Sequence, residues 1–161
     1  MRPWPLLDSS WTRAADLLMG GADPKTNVFF SGREIQGEVT NPGRTELESG
    51  KAFLLGMAQR AQDMTDDERV SGELTIETNV CLDAATALGP MWGTFVLENP
   101  AGKWLAAWIG RKTASGVTIY ATGYGIRAYQ GLLANWTYTR LGRDPDASFE
   151  IQGFIVKTFP A

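Results

Sequence analysis

Apolar and polar residues alternate strictly between Ser71 and Asp83. Leu74, Ile76, Thr78, Val80 and Leu82 fall on one side, with Glu73, Thr75, Glu77, Asn79 and Cys81 on the other. A period of two held over that length predicts a half-buried strand. Upstream, Val28-Phe29-Phe30 and Glu34 to Thr40 read as a first strand, broken or bulged at Gly32 and Gly37 and ended by the turn Asn41-Pro42-Gly43. Downstream, Gly89-Pro90 leads into a strand over Met91 to Glu98, and Asn99-Pro100-Ala101-Gly102 is a hairpin signal into Lys103 to Lys112. Ser115-Gly116 opens Val117 to Tyr124, which is rich in β-branched and aromatic residues. Leu132 to Arg140 follows, then a polar loop carrying Arg143-Asp144-Pro145-Asp146, then a last strand from Phe149 to Phe159.

Two stretches depart from this punctuation. In residues 1–26, Asp8, Ser9 or Ser10 can cap a short helix on which Trp11, Ala14, Ala15 and Leu18 recur at helical spacing, stopped by Gly20-Gly21 and turned by Asp23-Pro24. Such an extension either plugs one end of the domain or acts as a lid. Lys51 to Asp63 places Phe53, Leu54, Met57 and Ala61 on a helix face, and propensity favours helix there. Met64 to Arg69 then reads as a charged, solvated loop. About eight strands joined mostly by hairpin-length connections form a meander, and a meander of that size closes most economically into an antiparallel up-and-down barrel. A β-sandwich is the competing arrangement.

Length and composition narrow the function classes. At 161 residues the chain suits one domain, read as an N-terminal helical extension over 1–26 and a β-barrel over 27–161. Eighteen glycines fit a chain of many turns, and six Trp, four Tyr and seven Phe fit a thick core or an aromatic cavity. The absence of histidine removes Ser-His-Asp and Cys-His nucleophile systems and His-ligated metals, and a single cysteine, Cys81, removes internal disulfides and Cys₄ sites. No metal or cofactor is expected. A net charge of −3, with Arg111-Lys112 the one adjacent basic pair, argues against nucleic acid. No apolar run approaches the roughly 20 residues of a membrane span. Without a signal-peptide core the expected location is cytoplasmic, or secreted if a signal has been removed.

Arg69-Val70-Ser71-Gly72, Gly89 to Phe95, Trp104 to Gly110, Gly123-Tyr124-Gly125 and Tyr129-Gln130-Gly131-Leu132 together resemble the small bacterial barrels related to allene oxide cyclase, with dirigent proteins and spirotetronate-type cyclases similar in architecture. The resemblance covers roughly residues 69–157. It implies a calycin-like barrel, a strand rather than a helix over Lys51 to Asp63, and a cofactor-free cavity in which an apolar, polyketide-like molecule is folded for cyclisation or isomerisation. Those relatives place polar residues between the two tryptophans of the Trp104–Trp108 strand. Here Leu105, Ala107 and Ile109 would form an outward apolar stripe, which predicts an interface and a homodimer.

Trp92, Trp104, Trp108 and Trp136 are candidate pocket walls or barrel filling, and Tyr120, Tyr124 and Tyr138 share that ambiguity. Glu73 and Glu77 look like a solvated outer face; were that side the lumen, Glu77 would be a buried acid–base group, with Tyr120 or Tyr124 as hydroxyl donors. Glu38 and Glu150 stand similarly. Gly123-Tyr124-Gly125-Ile126-Arg127 lacks the third glycine and the helix of a dinucleotide loop, so its glycines read as rim bends, with Arg127 free to meet an anionic ligand group. Asn135-Trp136-Thr137, a formal glycosylation sequon, lies in a strand, and Cys81 reads as an inert thiol. Three functions remain: a cofactor-independent cyclase or isomerase, a lipocalin-like carrier of a hydrophobic ligand, and a solid structural barrel.

Overall fold

The computed structural model describes residues 27–158, and nine antiparallel strands make up these residues; the helix expected within 1–26 lies outside them. They are β1 (Val28–Asn41), β2 (Arg44–Glu48), β3 (Lys51–Thr65), β4 (Gly72–Asp83), β5 (Gly89–Glu98), β6 (Gly102–Thr113), β7 (Gly116–Arg127), β8 (Leu132–Leu141) and β9 (Phe149–Lys157). Each of β3 to β8 pairs with the next in sequence, β1 pairs with β9, and β1 also pairs with β3. Those contacts close an eight-stranded antiparallel barrel from β1 and β3 to β9. The short β2 continues the wall along the edge of β3 that β1 leaves free.

Closure decides the disputed segments. Lys51–Thr65 is a strand because both of its edges find partners, Gly72–Asp83 on one side and β1 with β2 on the other. That ladder outweighs the helical preference of Ala, Met, Gln and Leu. Around Gly37 the β1–β3 register shifts between Gln36 and Val39, which is the expected bulge. Gly32 stays in register and has another role: a Cβ there would sit 2.0 Å from the Met64 carbonyl oxygen. The stretch expected as a plain solvated loop holds a 3-10 turn over Glu68–Val70, with Asp67 capping the Arg69 amide and Val70 fully buried.

The barrel is solid at one end. The β3–β4, β5–β6 and β7–β8 connections gather there, and Trp104 stacks on Tyr129 with ring centroids 5.4 Å apart while meeting Trp136 edge-on at 5.7 Å. The Trp104 indole N–H donates to the Arg69 carbonyl at 2.8 Å, and the Tyr129 hydroxyl donates to Asn99 Oδ1 at 2.7 Å. Asn99 in turn donates to the Ser71 carbonyl at 2.9 Å. Leu74, Leu97, Ala134, Ile151 and Ile155 fill the space around them. Bulky indoles fit because facing positions are small. A Cβ on Gly125 would lie 2.1 Å from the Tyr129 carbonyl oxygen, and one on Gly153 would lie 2.4 Å from the Phe30 ring.

Trp104→Ala removes both the stack and the indole hydrogen bond from a site with no solvent exposure. The expected loss is about 3–5 kcal/mol of unfolding free energy, read from the shift of the urea midpoint.

Candidate functional site

Inward-facing residues change character toward the other end, where β1–β3, β4–β5, β6–β7 and β8–β9 connect. A cavity of about 230 Å³ opens there, walled mainly by Met57, Ile76, Met91, Phe95, Trp108, Val117, Ile119 and Phe149. It widens into a mouth of about 620 Å³ to which Leu47, Ala52, Leu54, Val80 and Leu82 add apolar surface and Lys112 and Arg140 add positive charge. Polar groups in the inner cavity are few: Glu34, Gln36, Gln59, Thr78, Tyr138 and Arg140.

Two of the buried acids form a pair. Glu34 on β1 and Asp63 on β3 are direct cross-strand partners, so both side chains leave the wall on its inner face side by side. Their exposures are 5% and 0%. The Tyr138 hydroxyl, arriving from β8, donates to Asp63 Oδ2 at 2.8 Å. Asp63 Oδ1 accepts no hydrogen bond from any N–H or O–H of the described residues. A proton shared with the neighbouring Glu34 carboxyl would supply a donor there.

Electrostatics point the same way. Burial pushes Glu34 up to about 7, against a smaller lowering from its hydrogen bond to Asp63 and from the Arg140 guanidinium. Burial, and then the neighbouring Glu34 charge, raise Asp63 well above the ordinary carboxylate range, although the Tyr138 hydrogen bond works against them. Tyr138 itself is raised well above its usual value by burial and by the two acids. Arg140 does not form a tight ion pair with Glu34. Its guanidinium carbon lies 4.7 Å from the centroid of the Phe149 ring, and Nη1 donates to the Pro145 carbonyl at 3.0 Å. Both carboxyls of the pair are therefore biased toward their protonated forms.

The residues singled out from sequence separate into three groups. Trp108 and Tyr138 line the cavity. Trp104 and Trp136 are buried in the solid half and fill it. Glu77, Trp92, Tyr120 and Tyr124 point out of the barrel, the two tyrosines 58% and 54% exposed. Their phase is set by neighbours: Thr78 and Ala121 take the inward positions, and each outward residue is one step off that row. Glu77 and Tyr124 instead border a groove on the outer wall with Val96, Leu105 and Ala107. Arg127 sits at the solid end, not at the mouth, and Nη1 meets Glu98 Oε1 at 3.3 Å. Leu105, Ala107 and Ile109 do face outward, with Ile109 between Trp92 and Tyr120 in one cross-strand row.

Among the described residues no three His, Cys, Asp or Glu converge as a metal site. No helix among them is long and apolar enough to cross a membrane. No family model, curated protein or solved structure matches the chain, so the likeness to allene oxide cyclase-like barrels is one of architecture.

The acid pair has a consequence for stability. Because Glu34 in the folded protein is raised from 4.5 to about 7, the folded state keeps a proton that the unfolded chain releases within that window. Stability from this group is therefore highest below 4.5, falls as pH rises toward 7 and is flat above it. Glu34→Gln removes the effect. The wild type should lose on the order of 3 kcal/mol relative to the variant between pH 4.5 and 7, read by urea unfolding across that range.

Proposed function

We propose that this barrel binds an apolar small molecule in its hollow half, as a carrier does. The observation that supports this best is the division of one barrel into a packed end and an open apolar cavity of about 230 Å³ with a wider mouth. A concave, mostly hydrophobic pocket with a few converging polar groups is the usual form of a small-molecule site. A solid structural barrel would continue the Trp104–Trp136 packing to both ends.

A cofactor-independent cyclase or isomerase is the second reading, and one observation favours it: the Glu34–Asp63–Tyr138 cluster at the cavity. In such an enzyme confinement of a reactive conformer contributes up to about 7–11 kcal/mol, and a protonated carboxyl adds polarisation. Acid–base work then belongs to Glu34, with Asp63 and Tyr138 behind it, in place of Glu77, Tyr120 and Tyr124.

Native mass spectrometry of the freshly purified protein, with organic extraction, tests the cavity directly. A defined apolar molecule bound per subunit is the expected result. For a fixed probe, ethylnaphthalene should bind in equilibrium dialysis, and Val117→Phe, which fills the inner cavity, should weaken it by about tenfold or more. Tyr120→Ala, on the outer wall, should leave binding unchanged. Failure of the wild type to bind both this hydrocarbon and the matched ketone, acetylnaphthalene, would overturn the reading.

The outer row Trp92–Ile109–Tyr120, flanked by Leu105 and Tyr124, supports a homodimer joined through this wall. Sedimentation should show a dimer that Ile109→Lys dissociates; a strict monomer would remove this surface from consideration.

A further inference from the structure

We infer that Glu34 is a proton-bearing recognition group that selects uncharged apolar ligands carrying a carbonyl oxygen and holds them through a hydrogen bond that it donates. The inference rests on the binding reading above and specifies which chemical class the cavity takes.

Geometry carries the argument. Glu34 lines the cavity, whereas Asp63, its direct cross-strand partner, is fully enclosed behind it. Tyr138 uses its hydroxyl proton on Asp63 Oδ2, which leaves Asp63 Oδ1 as the acceptor or proton carrier facing Glu34. Two charged carboxylates side by side in an apolar wall would repel strongly, so the first proton stays within the pair. With a second proton present, Asp63 donates to Glu34 and the hydroxyl of Glu34 is left over. The open space next to it is the cavity, and what satisfies a buried O–H there is an acceptor on the guest.

The same layout discriminates against other guests. A carboxylate at this depth would face an acid, and a pure hydrocarbon would leave the Glu34 hydroxyl without a partner. Among the described residues the charged and titratable groups facing the pair are few. Asp63 comes from β3, Tyr138 and Arg140 come from β8, and β9 contributes the Phe149 ring, while its Glu150 points outward. Arg140 is held toward Phe149 and Pro145 near the mouth, so it biases Glu34 toward ionisation without pairing with it. Loss of the second proton converts Glu34 from donor to charged acceptor. A carbonyl guest then meets a negative group with no hydrogen to share.

Two probes of matched shape test this, acetylnaphthalene and ethylnaphthalene of the same substitution pattern, measured by equilibrium dialysis at about pH 5.5 and about pH 8.5. The ketone should bind about tenfold more tightly at the lower pH, and the hydrocarbon should show no such change. In Glu34→Gln, which keeps a donor but cannot ionise, the ketone should bind equally at both values. An infrared titration of the wild type, which needs no variant to fold, should show the carbonyl stretch of a protonated carboxyl disappearing as pH passes through about 7. Equal pH response of the two probes, or no titrating carboxyl band, would overturn the inference and leave the cavity standing. If neither probe binds, the cavity reading falls and this one with it.

Discussion

Pairing of β1 with β3 is the contact on which the rest of this molecule depends. Without it the chain is an open sheet with two long edges, and neither side of any strand is inside. With it, Gly32 to Asn41 lies along Ala58 to Thr65, the sheet closes, and every strand acquires an inner and an outer face. The price of closure is a close approach at Gly32, where no side chain fits, and a bulge near Gly37 that re-aims the end of β1. β2 then occupies the part of β3 that β1 has left, extending the wall above the mouth. The same register sets Glu34 opposite Asp63, so the closing contact and the acid pair are one feature of the fold.

Closure also explains why one half of the lumen is solid and the other hollow. Among the described residues three indoles point inward, and two of them, Trp104 and Trp136, lie in the half where Gly125 and Gly153 leave room for Tyr129 and Phe30. Rings meet there edge-on or stacked, and the 3-10 turn at Glu68–Val70 caps the end with Val70. Toward the mouth the inward positions are Met57, Thr78, Met91, Val117 and Ile119, side chains too short to reach one another across eight strands. A cavity is the result of that change in side-chain size at constant barrel width. Its walls come from rigid strands, so its shape is set before any guest arrives.

Much of this was legible in the chain and some was not, for identifiable reasons. The alternation from Leu74 to Leu82 and the hairpin at Asn99–Gly102 gave β4, β5 and β6 nearly to the residue, because each carries one apolar face and a strong turn. β2 has all five residues exposed and therefore no pattern to read. β3 looked helical because its stabilisation lies in partners distant along the chain. For the site, alternation grouped residues by side but could not say which side was inner, so Glu77, Tyr120 and Tyr124 drew attention while lying on the outer wall. A signal for the acids existed nonetheless. Glu34 is in phase with Phe30 across Gly32, and Asp63 is in phase with Ala61, so each is a polar residue in an inward row. Only closure makes those two rows adjacent.

Charge is laid out along the barrel axis, and this bears on how any guest must sit. The floor of the cavity holds an acid pair that burial biases toward protonation, the middle is aliphatic and aromatic, and the mouth carries Arg140 and Lys112. A guest with a single uncharged polar end gains a hydrogen bond by entering that end first, and its apolar remainder then covers Met91, Val117 and Ile119. Entering the other way buries apolar atoms against a carboxyl and leaves the polar end among the mouth cations and water, where a hydrogen bond to solvent is already available. The first orientation therefore wins by the difference between an unsatisfied buried donor and a satisfied one, which is larger than the net value of an ordinary hydrogen bond. Orientation of this kind is what both carriage and catalysis by confinement require. The distinction between them lies in whether the guest has a second reactive centre within reach of Glu34 once its polar end is seated.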